Sequence, residues 1–198
     1  MILLHGYGSN GDDLISLAPH WRQGLPDALF VAPNAPERCP GMGGGYQWWG
    51  LSNFSRQALA AGAARAAPAL EAYIDARLAL HGLSEDRLAL VGFSQGTMMA
   101  LHVGPRRARQ IAGIVGYSGM LTDAAALARE VQTKPPVLLV HGAADPVVPV
   151  TALHEAKGEL QRLGFEVTSH VAQGLGHSVD PTGLRMGGEF VARVLGAA

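Results

Sequence analysis

A chain of 198 residues, 48% hydrophobic and 16% charged, is long enough for one well-buried core and too short for two comfortable domains. A formal net charge of −1 provides neither a basic stripe for nucleic acid nor a polybasic patch for anionic lipid, so the expected partner is a neutral or weakly polar small molecule. The single cysteine, Cys39, cannot close an internal disulfide, no run approaches the ~20 apolar residues of a membrane span, and Met1–Leu4 is too short for a signal-peptide core. The chain therefore reads as soluble and cytoplasmic, with no stable membrane insertion.

The first element, Ile2–Leu4, is strand-like and has no lead-in. An internal strand rarely begins at residue 1, so the sheet is expected to lack N-terminal edge strands. A glycine-rich turn follows, His5-Gly6-Tyr7-Gly8-Ser9-Asn10-Gly11. It lacks the Gly-Lys-Ser/Thr of a phosphate-binding loop, and no acidic residue stands at a strand end about 20 residues on, so a nucleotide cofactor is not expected. Leu29–Ala32 has strand length. Ala32–Asn53, rich in Gly and Pro, is long for a loop within one domain, and such loops are usually functional. Its aromatics, Trp48 and Trp49 with Leu51, are candidates to wall an acyl group; the competing role is to tack the loop to the core.

An Ala-rich helix is expected over about Ser55–Leu80, with Pro68 kinking or splitting it. Beyond it, strands at Leu88–Val91, Ile111–Tyr117, Val137–Val140 and Val167–Val171 alternate with helices at Gln95–Val103, Asp123–Glu130, Val150–Leu163 and Thr182–Leu195. Continuous apolar runs suit strands buried on both faces. The alternation predicts a single α/β domain over residues 1–198, with a mostly parallel central sheet and helices on both faces. No inserted cap domain fits.

Gly92-Phe93-Ser94-Gln95-Gly96 stands between a strand and a helix. With 26 glycines, a bare Gly-x-Ser-x-Gly arises by accident in roughly one such sequence in ten, so the flanking elements carry the signal. A serine at a sharp strand-to-helix turn is exposed for attack, and the first N–H groups of the helix favour an oxyanion; Gln95 N–H supplies one donor. A hydroxyl is a weak nucleophile near neutral pH and needs a base, which in turn needs an orienting carboxylate. In chain order, Asp145 follows the strand Val137–Val140 and His177 lies in Gly176-His177-Ser178 after the last strand. The second oxyanion donor belongs on the loop after the first strand. Met120 and Leu121, beyond Ile111–Tyr117, stand where an acyl chain would pass. His5 and His141, each in an apolar-His-Gly strand end, read as turn anchors.

Together, Leu4-His5-Gly6-Tyr7-Gly8, Ala32-Pro33-Asn34-Ala35-Pro36, the Ser94 elbow, His141-Gly142-Ala143-Ala144-Asp145-Pro146-Val147-Val148-Pro149 and Gly176-His177-Ser178 resemble the phospholipase/carboxylesterase family of α/β-hydrolases over nearly the whole chain. The resemblance implies an α/β-hydrolase fold and the triad Ser94, Asp145 and His177. It also implies Tyr7 N–H as the second oxyanion donor, no metal, no cofactor, and a homodimer as a frequent assembly. The expected activity is a serine carboxylesterase acting on short- to medium-chain acyl esters, with lysophospholipids and thioesters as further candidate substrates and an acyl-protein thioesterase of the depalmitoylating type as the alternative. A non-catalytic member of the fold would be expected to carry a broken triad. A dienelactone-hydrolase-like enzyme would normally use a cysteine nucleophile, and Cys39 is far from the elbow in sequence.

Overall fold

Residues 1–41, 43–51 and 53–196 are described by the computed structural model of the chain. Strand β1 (Ile2–Leu4) leads to short helices α1 (Gly11–Leu14) and α2 (Ala18–Trp21), and two short strands, β2 (Glu37–Arg38) and β3 (Tyr46–Gln47), follow within the long loop. Then come α3 (Arg56–His81), β4 (Ala89–Phe93), α4 (Gln95–Val103), β5 (Gly113–Tyr117), α5 (Ala124–Glu130), β6 (Val137–Gly142), α6 (Thr151–Arg162), β7 (Val167–Ala172) and α7 (Pro181–Leu195). The five main strands form one sheet in the order β1-β4-β5-β6-β7, every neighbouring pair parallel, while β2 and β3 pair antiparallel as a separate ribbon. The expected α/β architecture is present, a parallel central sheet with helices on both faces.

Successive side chains of a strand face opposite ways, and here each direction meets its own core. Ile2, Leu4, Leu90, Ile114, Val137 and Leu139 pack with α3, α4 and α6 on one face. Leu3, Val91, Val115, Tyr117, Leu138 and Val140 pack with Trp21 of α2 and with Phe190 and Val191 of α7 on the other. Both faces are covered by helices, which is why these strands read as unbroken apolar runs.

Two expectations require correction. Leu29–Ala32 does not form a strand: only Val31 bridges β1, through Leu3 N–H to Val31 O (2.8 Å) and Val31 N–H to Met1 O (3.1 Å). Pro33, which has no N–H, follows almost at once and ends the ladder. Nor does Pro68 divide its helix, which runs unbroken through 26 residues. Pro68 and Ala64 are both exposed, so the carbonyl that loses its helical partner faces water instead of the core. The pair α1 and α2, with adjoining turns of 3₁₀ helix, was not foreseen. These pieces are too short for a periodic pattern, although the Asn10 carboxamide caps α1 by accepting from Asp13 N–H at 3.0 Å. Among the described residues no helix is long and apolar enough to cross a membrane.

Candidate active site

Ser94, between β4 and α4, has φ 54° and ψ −115°, a backbone conformation that L-residues rarely adopt. What sustains it is close approach on all sides. A Cβ on Gly92 would collide with the Gly96 and Thr97 backbone, and one on Gly96 would collide with the Leu4 carbonyl at the end of β1. Thr97 Oγ1 lies 2.8 Å from both the Gly92 and Tyr117 carbonyls, and Ser94 N–H donates to Tyr117 O at 2.9 Å. The glycines on either side of the serine thus let β4, α4 and the β1 loop meet without side chains between them.

Gln95 is the first residue of α4, where helix geometry leaves N–H groups without an intrahelical partner. The β1 loop lies against the nucleophile: a Cβ on Gly6 would sit 3.3 Å from Ser94 Cβ, which brings the Tyr7 peptide to the same corner. Buried His5 fixes that loop. Its Nε2 accepts from Ala35 N–H at 2.9 Å, so Nδ1 carries the proton that is donated to Gly6 O at 2.7 Å. Burial pushes the His5 pKa below the ordinary range, partly opposed by the Gly6 bond and the charge of Asp13, and this agrees with a neutral ring.

The aromatics of the long loop turn inward. Trp48 and Trp49 are 3% and 2% exposed and belong to the core, so of the two roles weighed for them, anchoring describes their position. Trp48 Nε1–H donates to His5 O at 3.0 Å. The Gln95 carboxamide accepts from Trp48 N–H and donates to Trp49 O, both at 2.9 Å. The loop is thereby pinned to both structures that carry the prospective oxyanion donors. Leu51 packs at the margin of the same core. Met120 and Leu121 lie elsewhere on the rim, with Ala124 and with Ala152 and Ala156 of α6. They line a cleft of about 210 Å³ whose outer edge carries the Arg56–Glu155 ion pair.

Asp145 and His177, 32 residues apart, meet at 2.7 Å between Oδ2 and Nδ1. Their loops are laced together: Ala143 N–H donates to Ala172 O and Ala144 N–H to Leu175 O, each at 2.9 Å, and a Cβ on Gly142 would strike the Leu175 and Gly176 carbonyls. The Asp145 side chain is fully buried. Its Oδ1 accepts from Val147 N–H at 2.8 Å and Val148 N–H at 2.9 Å. Burial alone would raise the Asp145 pKa. The His177 bond and the two backbone donors outweigh it, and the carboxyl sits below its ordinary value. The His177 ring lies 4.9 Å, centroid to centroid, from Phe93, the residue before the serine. Ser94, Asp145 and His177, with Gln95 at the start of α4 and the loop bearing Tyr7, therefore lie beyond the C-terminal ends of β1, β4, β6 and β7.

Residues 1–195 match the family described as Phospholipase/Carboxylesterase. The chain belongs to the phospholipase/carboxylesterase family. A solved structure titled "Crystal structure of esterase PE8" superposes with a TM-score of 0.94 at 43% identity, over 98% of this chain and 91% of that one. The Acyl-protein thioesterase 1 of Schizosaccharomyces pombe is 31% identical over all of this chain and 91% of its own length. Esterase YpfH of Escherichia coli is 26% identical over 91% of this chain and 76% of its own. Membership in the phospholipase/carboxylesterase family makes this chain a hydrolase of the carboxylesterase and thioesterase kind.

Three groups that reach this site were missed as such in the sequence. His141 contacts Asp145, the Gln95 carboxamide holds the loop, and Ser118 takes φ 47° with its Oγ 3.3 Å from the Ser178 carbonyl, beside His177. His141 was visible as a strand-end histidine; nothing in the residue type of Ser118 announces a positive φ.

Proposed function

We propose that this chain is a serine carboxylesterase that hydrolyses short- to medium-chain acyl esters through an acyl-enzyme on Ser94. The observation carrying this reading is the 2.7 Å bond from His177 Nδ1 to buried Asp145 Oδ2 beside a serine held at φ 54°. With Nδ1–H given to the carboxylate, Nε2 is left bare to accept a proton. Ser94 Oγ attacks the acyl carbonyl while His177 Nε2 takes the hydroxyl proton. The negative oxygen of the tetrahedral intermediate accepts from the N–H groups of Gln95 and Tyr7. Collapse breaks the bond to the alcohol, which leaves with the proton from His177. Water then attacks the acyl-enzyme, with His177 taking its proton and returning it to Ser94, and the acid departs.

Ser94→Ala tests the assignment. The variant is expected to keep the fold and to lose ester hydrolysis together with labelling by a fluorophosphonate probe. Undiminished labelling would remove Ser94 from the mechanism. A thioesterase reading is favoured by the printed name of the 31% relative and predicts faster turnover of an acyl thioester than of the matched oxoester.

A further inference from the structure

The described mechanism uses one histidine on Asp145, but the structure places two there. His141, at the penultimate position of β6, is 1% exposed, and its Nε2 lies 3.2 Å from the same Oδ2 that receives His177. The same nitrogen is 2.8 Å from Val148 O. A carbonyl oxygen can only accept, so His141 Nε2 carries a proton and donates it to Val148 O, which leaves its 3.2 Å approach to Asp145 Oδ2 a close contact and not a second hydrogen bond. Val148 N–H in turn donates to Asp145 Oδ1. His141 thus holds Val148, and Val148 holds the carboxylate, from inside the fold, while His177 binds Oδ2 from the site.

We propose that His141 is a positioning residue of the esterase reaction: by holding the Val148 carbonyl, its Nε2–H fixes the turn whose two N–H groups set the Asp145 carboxylate for His177. The carboxylate accepts from Val147 and Val148 at one oxygen and from His177 at the other, so it cannot rotate about its Cβ–Cγ bond without breaking three bonds. With His141 removed, the Val148 carbonyl loses its imidazole donor and the turn that holds Oδ1 is free to shift. His141 touches no substrate and acts only through Asp145.

The proposal rests on the triad reading, and the experiment separates the two. His141→Phe keeps a planar ring and removes the donor, whereas His141→Gln places an amide N–H within reach of Val148 O. Rates are measured per active site, counted by exhaustive fluorophosphonate labelling. His141→Phe is expected to label fully but slowly and to lose kcat by about 10- to 100-fold, the range seen when outer partners of metal-binding histidines are removed, with KM unchanged. His141→Gln is expected to regain most of that loss. Wild-type kcat in the Phe variant, or an equal loss in both variants, would overturn the proposal. Nitrogen-15 NMR of the wild-type protein gives an answer even if the Phe variant does not fold. His141 protonated at Nε2 supports the bond to Val148, and a proton on Nδ1 with bare Nε2 refutes it. Labelling of Ser94→Ala would instead bring down the triad reading itself.

Discussion

Asp145 shows how a single side chain can be specified by the number of donors around it. Two backbone N–H groups bind Oδ1 and the His177 imidazole N–H binds Oδ2, so every partner demands an acceptor. Asparagine offers one oxygen and one NH₂. In Asp145→Asn the oxygen is expected to stay with Val147 and Val148, leaving the NH₂ against His177. That ring must then accept at Nδ1 and carry its proton on Nε2, where the Ser94 hydroxyl proton was to go. A wrong tautomer in a serine triad costs on the order of 10⁴-fold in kcat. A loss of that size with KM within a few-fold is the expected kinetic result, and a loss under tenfold would show that Asp145 does not set the tautomer. The residue types of this site could be read from the sequence because Gly-x-Ser-x-Gly, the strand-end Asp and the late His are each tied to a local motif. The second histidine on the carboxylate could not. Its contact depends on the turn after β6 folding back, which brings Val148 and Asp145 onto the same nitrogen.

Between elements, the fit of the long loop against α3 decides whether the site is held. The strand and helix order of the parallel sheet was legible, because each element spans several residues of one pattern. Single-residue pairings such as Val31 with Ile2, and the inward turn of Trp48 and Trp49, depend on what surrounds them and leave no periodic trace. Gly62 shows the consequence. It lies on the buried face of α3, and a Cβ there would fall within 2.5 Å of Trp49 Nε1. By helix propensity alone, Gly62→Ala would gain about 1 kcal/mol. Forcing a buried indole to shift costs about 1–3 kcal/mol, so the variant is expected to be less stable, with a lower midpoint in urea. Displacing Trp49 also disturbs its carbonyl, which holds the Gln95 carboxamide, so kcat should fall in the same variant. A rise in the midpoint would mean that the indole has room to move and that the loop is not anchored there.

At the scale of the whole molecule, the form of the rim limits what the enzyme can select. Among the described residues the sheet and its covering helices carry no inserted cap domain, so there substrate meets the rim and not an enclosed tunnel. The apolar surface available beside Met120 and Leu121 is the cleft of about 210 Å³ bounded by Ala124, Ala152 and Ala156, and the Arg56–Glu155 pair closes its outer edge with charge. Each methylene that enters apolar surface gains about 0.8 kcal/mol, or about fourfold in kcat/KM if the gain is held in the transition state. A methylene that passes the ion pair returns to water and gains nothing. The expected profile over a series of straight-chain esters is therefore a steep rise through short chains, a plateau at medium length and no further gain, with matched oxo- and thioesters following the same curve. Replacing Ala156 with a larger residue should move the plateau to shorter chains, because α6 forms one wall of the cleft. A profile that climbs steadily to the palmitoyl ester would place the acyl chain along some other surface and would favour the depalmitoylating alternative.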